Sequence, residues 1–367
     1  MKKVLVVFGT RPEAIKMCPL VLELKKHKNI ECKVCLTGQH REMLDQVMEA
    51  FGIISDYNLD IMKTRQTLTT ITTSVLEGME AILKDEKPDV VLVHGDTTTS
   101  YAAALASFYQ QIPVGHVEAG LRTGNIYSPF PEEMNRLLTD RISTYYFAPT
   151  ELNRKNLINE GIKEKVYVTG NTVIDSFAYT VSDKYSYHDD KLNEIDFENR
   201  KVILVTAHRR ENLGKPLENI CNAIKTLSER YKDVQVIYPV HLNPAVRDTV
   251  FSILSGIDNV LLTDPVDVLD MHNMMSRCYM VMTDSGGLQE EAPHFGKPVL
   301  VLRTETERPE AVEAGTVSVV GVDEQIILNE ASKLIEHSYA YECMARAVNP
   351  YGDGHACEKI VNILINE

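Results

Sequence analysis

A chain of 367 residues exceeds what one ordinary hydrophobic core organises, so two domains of similar size are expected. Its 44% hydrophobic and 25% charged residues describe a soluble globular protein, and no apolar run approaches the length that spans a bilayer. The net charge of −14 argues against nucleic acid as a general partner, because phosphate backbones are bound by clustered Lys and Arg; any anion held here needs local groups.

Residues 3–8, KVLVVF, form a continuous apolar run suited to a strand buried on both faces of a parallel sheet. The run ends at Gly9 and Arg11, too short for a signal segment, and Pro12 suits the first position of a helix. ECKVCLTG reads as the next strand, on which the odd separation of Cys32 and Cys35 points them to opposite faces, against a disulfide or metal clamp. The seven cysteines are scattered, and a cytoplasmic protein with reduced thiols is expected. REMLDQVMEAFG is a helix ended by Gly52, and residues 68–83 carry apolar groups at helical spacing. PDVVLVHGD, IPVGHVEAG, STYYFAPT and KVYVTGN follow as strands, with TSYAAALASFYQ a helix between the first two. Residues 181–200 turn polar and are the linker candidate. Alternation then resumes with KVILVTAH, a helix over 216–231, VQVIYPVH, a helix over 244–254, NVLLTDP, YMVMTDSGG, a helix from Gln289, and PVLVLR.

Such alternation predicts an α/β fold of two Rossmann-like domains with a cleft between them. We place the first at 1–172 and the second at 173–350, with a C-terminal helix in 351–367 packing back on the first. No Gly-x-Gly-x-x-Gly follows a strand and no P-loop motif occurs, which argues against dinucleotide redox chemistry and P-loop hydrolysis. Metal-ligand spacing is absent too, so neither cofactor nor metal is expected.

Three acids, Asp96, Glu118 and Glu132, stand where an apolar run has ended or a helix begins, the place where open α/β sheets keep ligands. Singly, each has a plain structural reading: Asp96 as a helix cap, Glu118 paired with Arg122, Glu132 with Glu133 favouring a helix dipole. Together they suit a reaction that moves protons on and off carbon. Arg11 at a helix start opposes the dipole unless an anion joins it there with Lys16; the alternative is a surface pair with Glu13. In TDSGGLQEEA, Ser285, Gly286 and Gly287 open a helix whose N–H groups could approach a phosphate, while Glu290 or Glu291 could hold a ribose diol. Arg308 could serve the same diphosphate or pair with Glu310. His208 with Arg209 and Arg210, and His241 after VIYPV, offer further phosphate contacts.

The blocks FGTRPEAIKM, TGQHREMLDQV, VLVHGDTTT, IPVGHVEAGLRT, YSPFPEEMNR, VTGNTVID, TAHRREN, YPVHLNP, LTDSGGLQEEAP, TERPEA and NPYGDG, in this order, give a chain that resembles the non-hydrolysing UDP-N-acetylglucosamine 2-epimerases over essentially its whole length. The resemblance implies a glycosyltransferase-B fold, a homodimer, and reversible conversion of UDP-N-acetylglucosamine to UDP-N-acetylmannosamine through elimination of UDP and a glycal, supplying precursor for surface polysaccharide. It puts Asp96, Glu118, Glu132 and His208 on catalytic positions and Arg11, Lys16, Ser285, Glu291 and Arg308 on UDP-contacting ones. Gln39, Arg65, Arg210 and His241 match an effector site for a second UDP-N-acetylglucosamine in some relatives, although Glu42 stands where those can carry Gln. The rival readings are a hydrolysing epimerase that releases N-acetylmannosamine, a glycosyltransferase of the same fold, and a non-catalytic UDP-sugar sensor, which should have lost the acids.

Overall fold

Strand and helix alternate through the computed structural model, which describes the chain apart from residues 39–40 and 63–65 and the side chains of 41–43. Two compact units divide it: residues 1–179 with 351–367, and residues 180–350. In the first unit the order is β1 (Lys2–Phe8), α1 (Arg11–Lys26), β2 (Ile30–Leu36), α2 (Arg41–Ala50), β3 (Tyr57–Asn58), α3 (Leu68–Glu86), β4 (Val90–His94), α4 (Thr98–Tyr109), β5 (Val114–Val117), α5 (Glu132–Ile142), β6 (Tyr145–Ala148), α6 (Glu151–Asn159), β7 (Val166–Val168) and α7 (Thr172–Thr180). The second carries α8 (Asp190–Asn193), β8 (Lys201–Thr206), α9 (Lys215–Arg230), β9 (Val234–Pro239), α10 (Pro244–Leu254), β10 (Val260–Thr263), α11 (Val268–Arg277), β11 (Met280–Thr283), α12 (Gly286–Glu291), β12 (Val299–Val301), α13 (Pro309–Glu313), β13 (Val317–Val319), α14 (Glu324–Glu336) and α15 (Ser338–Ala345). The chain returns to the first unit as α16 (Ala356–Asn366), which lies against α1.

Among the described residues the first sheet has seven parallel strands in the order β3-β2-β1-β4-β5-β6-β7, and the second six in the order β10-β9-β8-β11-β12-β13. Both are doubly wound. Strand order reverses between β1 and β4 in one sheet and between β8 and β11 in the other, so the loops leaving those neighbours diverge to opposite faces and leave an opening at the strand ends. Apolar side chains on both faces of the central strands make this stable: Val4 to Phe8, Val90 to Val93 and Val202 to Val205 are buried throughout.

The domain boundary and the linker both differ from the sequence reading. Helix α7 stays with the first unit, where its Asp175 carboxylate accepts the N–H groups of Cys357 (2.7 Å) and Ala356 (3.1 Å) at the start of α16. Burial lifts the Asp175 carboxyl, and these bonds offset only part of that. Segment 181–200 is no free linker but packs on the second unit: Tyr185 donates to Asp270 (2.7 Å), and Tyr187 meets Tyr185 edge-on and lies under Arg277. Its polarity hid this, because two isolated aromatic anchors carry no periodicity.

Candidate active site

The β1–α1 turn begins at Gly9, where an added Cβ would fall 1.7 Å from Thr37 Oγ1, so only glycine lets the two strand ends lie this close. Thr10 caps α1 in a capping box with Glu13. The buried Glu13 carboxylate does more than cap. Its Oε2 accepts Gly9 N–H (2.9 Å) and Thr10 N–H (2.7 Å), and its Oε1 accepts the hydroxyls of Thr97 (2.6 Å) and Ser100 (2.7 Å) after β4. It therefore ties together the two loops of the switch point and is not a partner for Arg11, which is exposed and has no ion-pair partner among the described residues.

Asp96 follows β4, and Thr97 rather than Asp96 caps α4. The Asp96 carboxylate bonds Arg136 of α5, whose other arm reaches Glu133 (3.2 Å). Glu132 is the first residue of α5, and its Oε2 is buried without a hydrogen-bond partner among the described residues. Glu118 leaves β5 in the left-handed region (φ 67°), uncommon for a residue with a long side chain. Its Oε2 is gripped by Lys16 of α1, accepts Asn171 Nδ2 (3.2 Å) and lies 3.3 Å from His94 Nε2. Burial alone would push this carboxyl up; the Lys16 ammonium and the His94 ring outweigh it and hold Glu118 well below the usual carboxylate range. The Glu118–Arg122 pairing considered from sequence does not form, since Arg122 bonds Asp140 (2.7 Å) and Glu160 (2.7 Å). Asp140 also holds His116 Nδ1 (2.6 Å), and His116 Nε2 contacts Gly95 O (2.8 Å) beside Asp96. Burial raises the Asp140 carboxyl, but His116 and Arg122 bring it below its ordinary value.

In the second unit Ser285 is the N-cap of α12 and makes no side-chain cap bond. An added Cβ on Gly286 would meet one guanidinium nitrogen each of Arg209 and Arg308, both at 3.8 Å, so two arginine forks flank this turn. A Cβ on Gly287 would lie 3.0 Å from Glu291 Oε1, so glycine keeps that carboxylate close. Arg308 pairs with the buried Glu290, a partner the sequence reading did not consider, and Glu291 Oε2 lies 3.6 Å from His272 Nε2. His208 and His241 stack with centroids 5.3 Å apart and planes 9° apart. Arg210 is exposed in a short 3-10 turn, while Gln39, Arg65 and the Glu42 side chain lie outside the described residues. His94, Arg136, Asn171 and Asp284 were not singled out from sequence. Arg136 had a faint signal, lying one helical turn from Glu132 and Glu133.

Away from these groups, His188, Asp267 and Asp270 gather three potential metal-ligand atoms. Their bonds explain the gathering: Asp267 caps α11 and pairs with His188 (2.8 Å), and Asp270 accepts from Tyr185.

A family model described as UDP-N-acetylglucosamine 2-epimerase matches residues 22–365. The chain belongs to this family. It is 58% identical over 367 residues to a Thermotoga maritima protein, covering 100% of this chain and 97% of the relative. It is 53% identical over 371 residues to the UDP-N-acetylglucosamine 2-epimerase of Escherichia coli (strain K12), covering 99% and 98%. A crystal structure of the Neisseria meningitidis UDP-GlcNAc 2-epimerase bound to UDP-GlcNAc has a TM-score of 0.89 at 52% identity, covering 100% of both chains. The two Rossmann-like units of this epimerase-family chain are those of the glycosyltransferase-B type. Among the described residues no helix is long and apolar enough to cross a membrane.

Proposed function

We propose that the protein interconverts UDP-N-acetylglucosamine and UDP-N-acetylmannosamine by eliminating UDP to a glycal and adding it back with the opposite configuration at carbon 2. The observation that carries this reading is Glu118: a buried carboxylate kept ionised by Lys16 and His94, on the same sheet edge as Asp96 and Glu132. The hydrogen on carbon 2 is not adjacent to a carbonyl, so no side chain could remove it from the intact sugar. Breaking the bond from carbon 1 to UDP first builds oxocarbenium character that acidifies that hydrogen. One carboxylate then takes the proton, and another group delivers one to the opposite face before UDP returns. Glu118 and Asp96 are assigned to proton transfer, with Glu132 positioning the sugar or sharing a proton.

Leaving of the diphosphate needs positive charge where the negative charge develops. Arg11, His208, Arg308 and the turn at Ser285–Gly287 are the groups assigned to it, Arg209 joins them from its place beside Gly286, and Glu291 is assigned to the ribose. Arg210 and His241 remain assigned to an effector UDP-sugar, and the protein to a cytoplasmic homodimer making precursor for surface polysaccharide. The fold, the solved complex of the Neisseria relative and the presence of all three acids support this reading over a non-catalytic sensor. Incubation with UDP-N-acetylglucosamine in deuterated water tests it. Deuterium at carbon 2 of UDP-N-acetylmannosamine is expected; free N-acetylmannosamine would identify a hydrolase, and unchanged substrate a sensor or another sugar.

A further inference from the structure

Asp284 directly follows β11 and is fully buried. Its Oδ2 accepts three bonds from the loop after β8: His208 N–H (2.8 Å), Arg209 N–H (2.8 Å) and Asn212 Nδ2 (3.0 Å). Its Oδ1 is equally buried and has no hydrogen-bond partner among the described residues. Leaving a buried carboxylate oxygen unpaired is costly, and most such atoms find a donor. The group placed to become that donor is His208 Nδ1, 3.6 Å from Oδ1, just beyond hydrogen-bonding distance.

We propose that Asp284 is a positioning residue for His208, fixing the imidazole as the tautomer with hydrogen on Nδ1 and reserving Nε2 for the substrate diphosphate. The inference rests on the reading of His208 as a group that meets the substrate. Its logic is donor and acceptor matching. An ionised carboxylate only accepts, so Nδ1 can close on Oδ1 only while it carries a hydrogen, and in the neutral ring that leaves Nε2 bare. The backbone bonds to Oδ2 hold the histidine's main chain while Oδ1 sets its ring, so one side chain controls both position and tautomer.

The groups facing His208 are Asp284, its stacked neighbour His241 and the adjacent Arg209. Partial burial disfavours the charged ring, Asp284 favours it, His241 and Arg209 disfavour it, and the net effect lowers its proton affinity. The unliganded ring is therefore mainly neutral near pH 7. A diphosphate arriving at Nε2 favours proton uptake there, and the cation then donates from both nitrogens, one to phosphate and one to Asp284.

The test uses the full chain labelled with 15N-histidine, with the His208 signals assigned by a His208→Asn variant and UDP as probe. Asp284→Asn keeps an amide oxygen for the three loop donors but turns an N–H2 group toward Nδ1. In the wild type the neutral His208 ring is expected to carry hydrogen on Nδ1. In Asp284→Asn the hydrogen moves to Nε2, the titration midpoint falls, and kcat drops by about 100-fold with little change in KM. Identical tautomer and midpoint in the two proteins would overturn the inference. Should the variant not fold, the wild type alone decides: a neutral ring with hydrogen on Nε2 and a bare Nδ1 overturns it. Full activity of His208→Asn would instead overturn the catalytic reading of His208, a separate failure.

Discussion

The two sheets solve the same problem at their switch points with one buried acid each, and they spend it differently. In the first unit all the bonding of Glu13 goes to the frame: two backbone N–H groups after β1 and two hydroxyls after β4 occupy both oxygens. In the second unit Asp284 commits only Oδ2 to the frame and leaves Oδ1 facing a titrating ring. A saturated acid is a brace. A half-saturated one can also respond to what binds. Beside this brace, Glu118, Lys16 and His94 come together from separate elements.

The largest effect on that contrast should come from Glu118→Gln, which removes the acid itself while leaving Glu13 intact. Loss of kcat on the order of 10²- to 10⁴-fold is expected, together with deuterium exchange at carbon 2, as measured by NMR on the purified protein. Exchange at the wild-type rate would remove Glu118 from the proton path. Glu13→Ala tests the brace. Two buried backbone N–H groups lose their acceptor and the Thr97 and Ser100 hydroxyls lose one of theirs, so chemical denaturation should show stability lower by roughly 3 kcal/mol, whereas Asp284→Asn, which still offers an oxygen, should cost less. Equal losses would erase the distinction between brace and responder.

Arg308→Lys is a smaller perturbation of the second unit. It exchanges the fork beside Gly286 for a point charge and weakens the grip of Glu290, so KM for the UDP-sugar should rise about tenfold at nearly constant kcat. An unchanged KM would take Arg308 out of the diphosphate site. The smallest effect is a change in acid sensitivity. Because its folded proton affinity is lowered, Glu118 contributes stability that is present above the ordinary carboxylate range and is lost as pH falls through its folded value. In Lys16→Met only His94 is left to oppose burial, so the carboxyl rises from its lowered value and this acid-sensitive contribution shrinks. Melting curves from neutral to acidic pH should therefore fall less steeply for the variant than for the wild type, and parallel curves would show that Lys16 does not set this charge.

Much of this was legible in the residues. Valine-rich runs bounded by glycine marked the strands, and acids or cations just past their ends marked the switch-point loops. Partner choice was not legible. Asp96 looks like a cap until Thr97 takes that role and Arg136 arrives from 40 positions away. Glu118 looks paired with Arg122, four residues on, but the left-handed turn at Glu118 aims the two apart and Lys16 comes from 102 positions away. Arg308 reaches Glu290 across the strand ends, a partner 18 positions away, besides the adjacent Glu307. Local spacing overestimates local pairing because a parallel sheet brings together the ends of strands that are distant in the chain.

By itself, then, the sequence determined the α/β alternation, the two-sheet organisation and the family, since these rest on short-range patterns of apolar residues, glycine turns and blocks in fixed order. Tertiary structure alone decided which groups surround Glu118 and hold its carboxyl low, that residues 181–200 are packed and not a linker, and that Asp284 leaves one oxygen without a hydrogen-bond partner among the described residues. Each of these depends on desolvation and on donors supplied from other strands, and neither quantity exists until the sheet order is set.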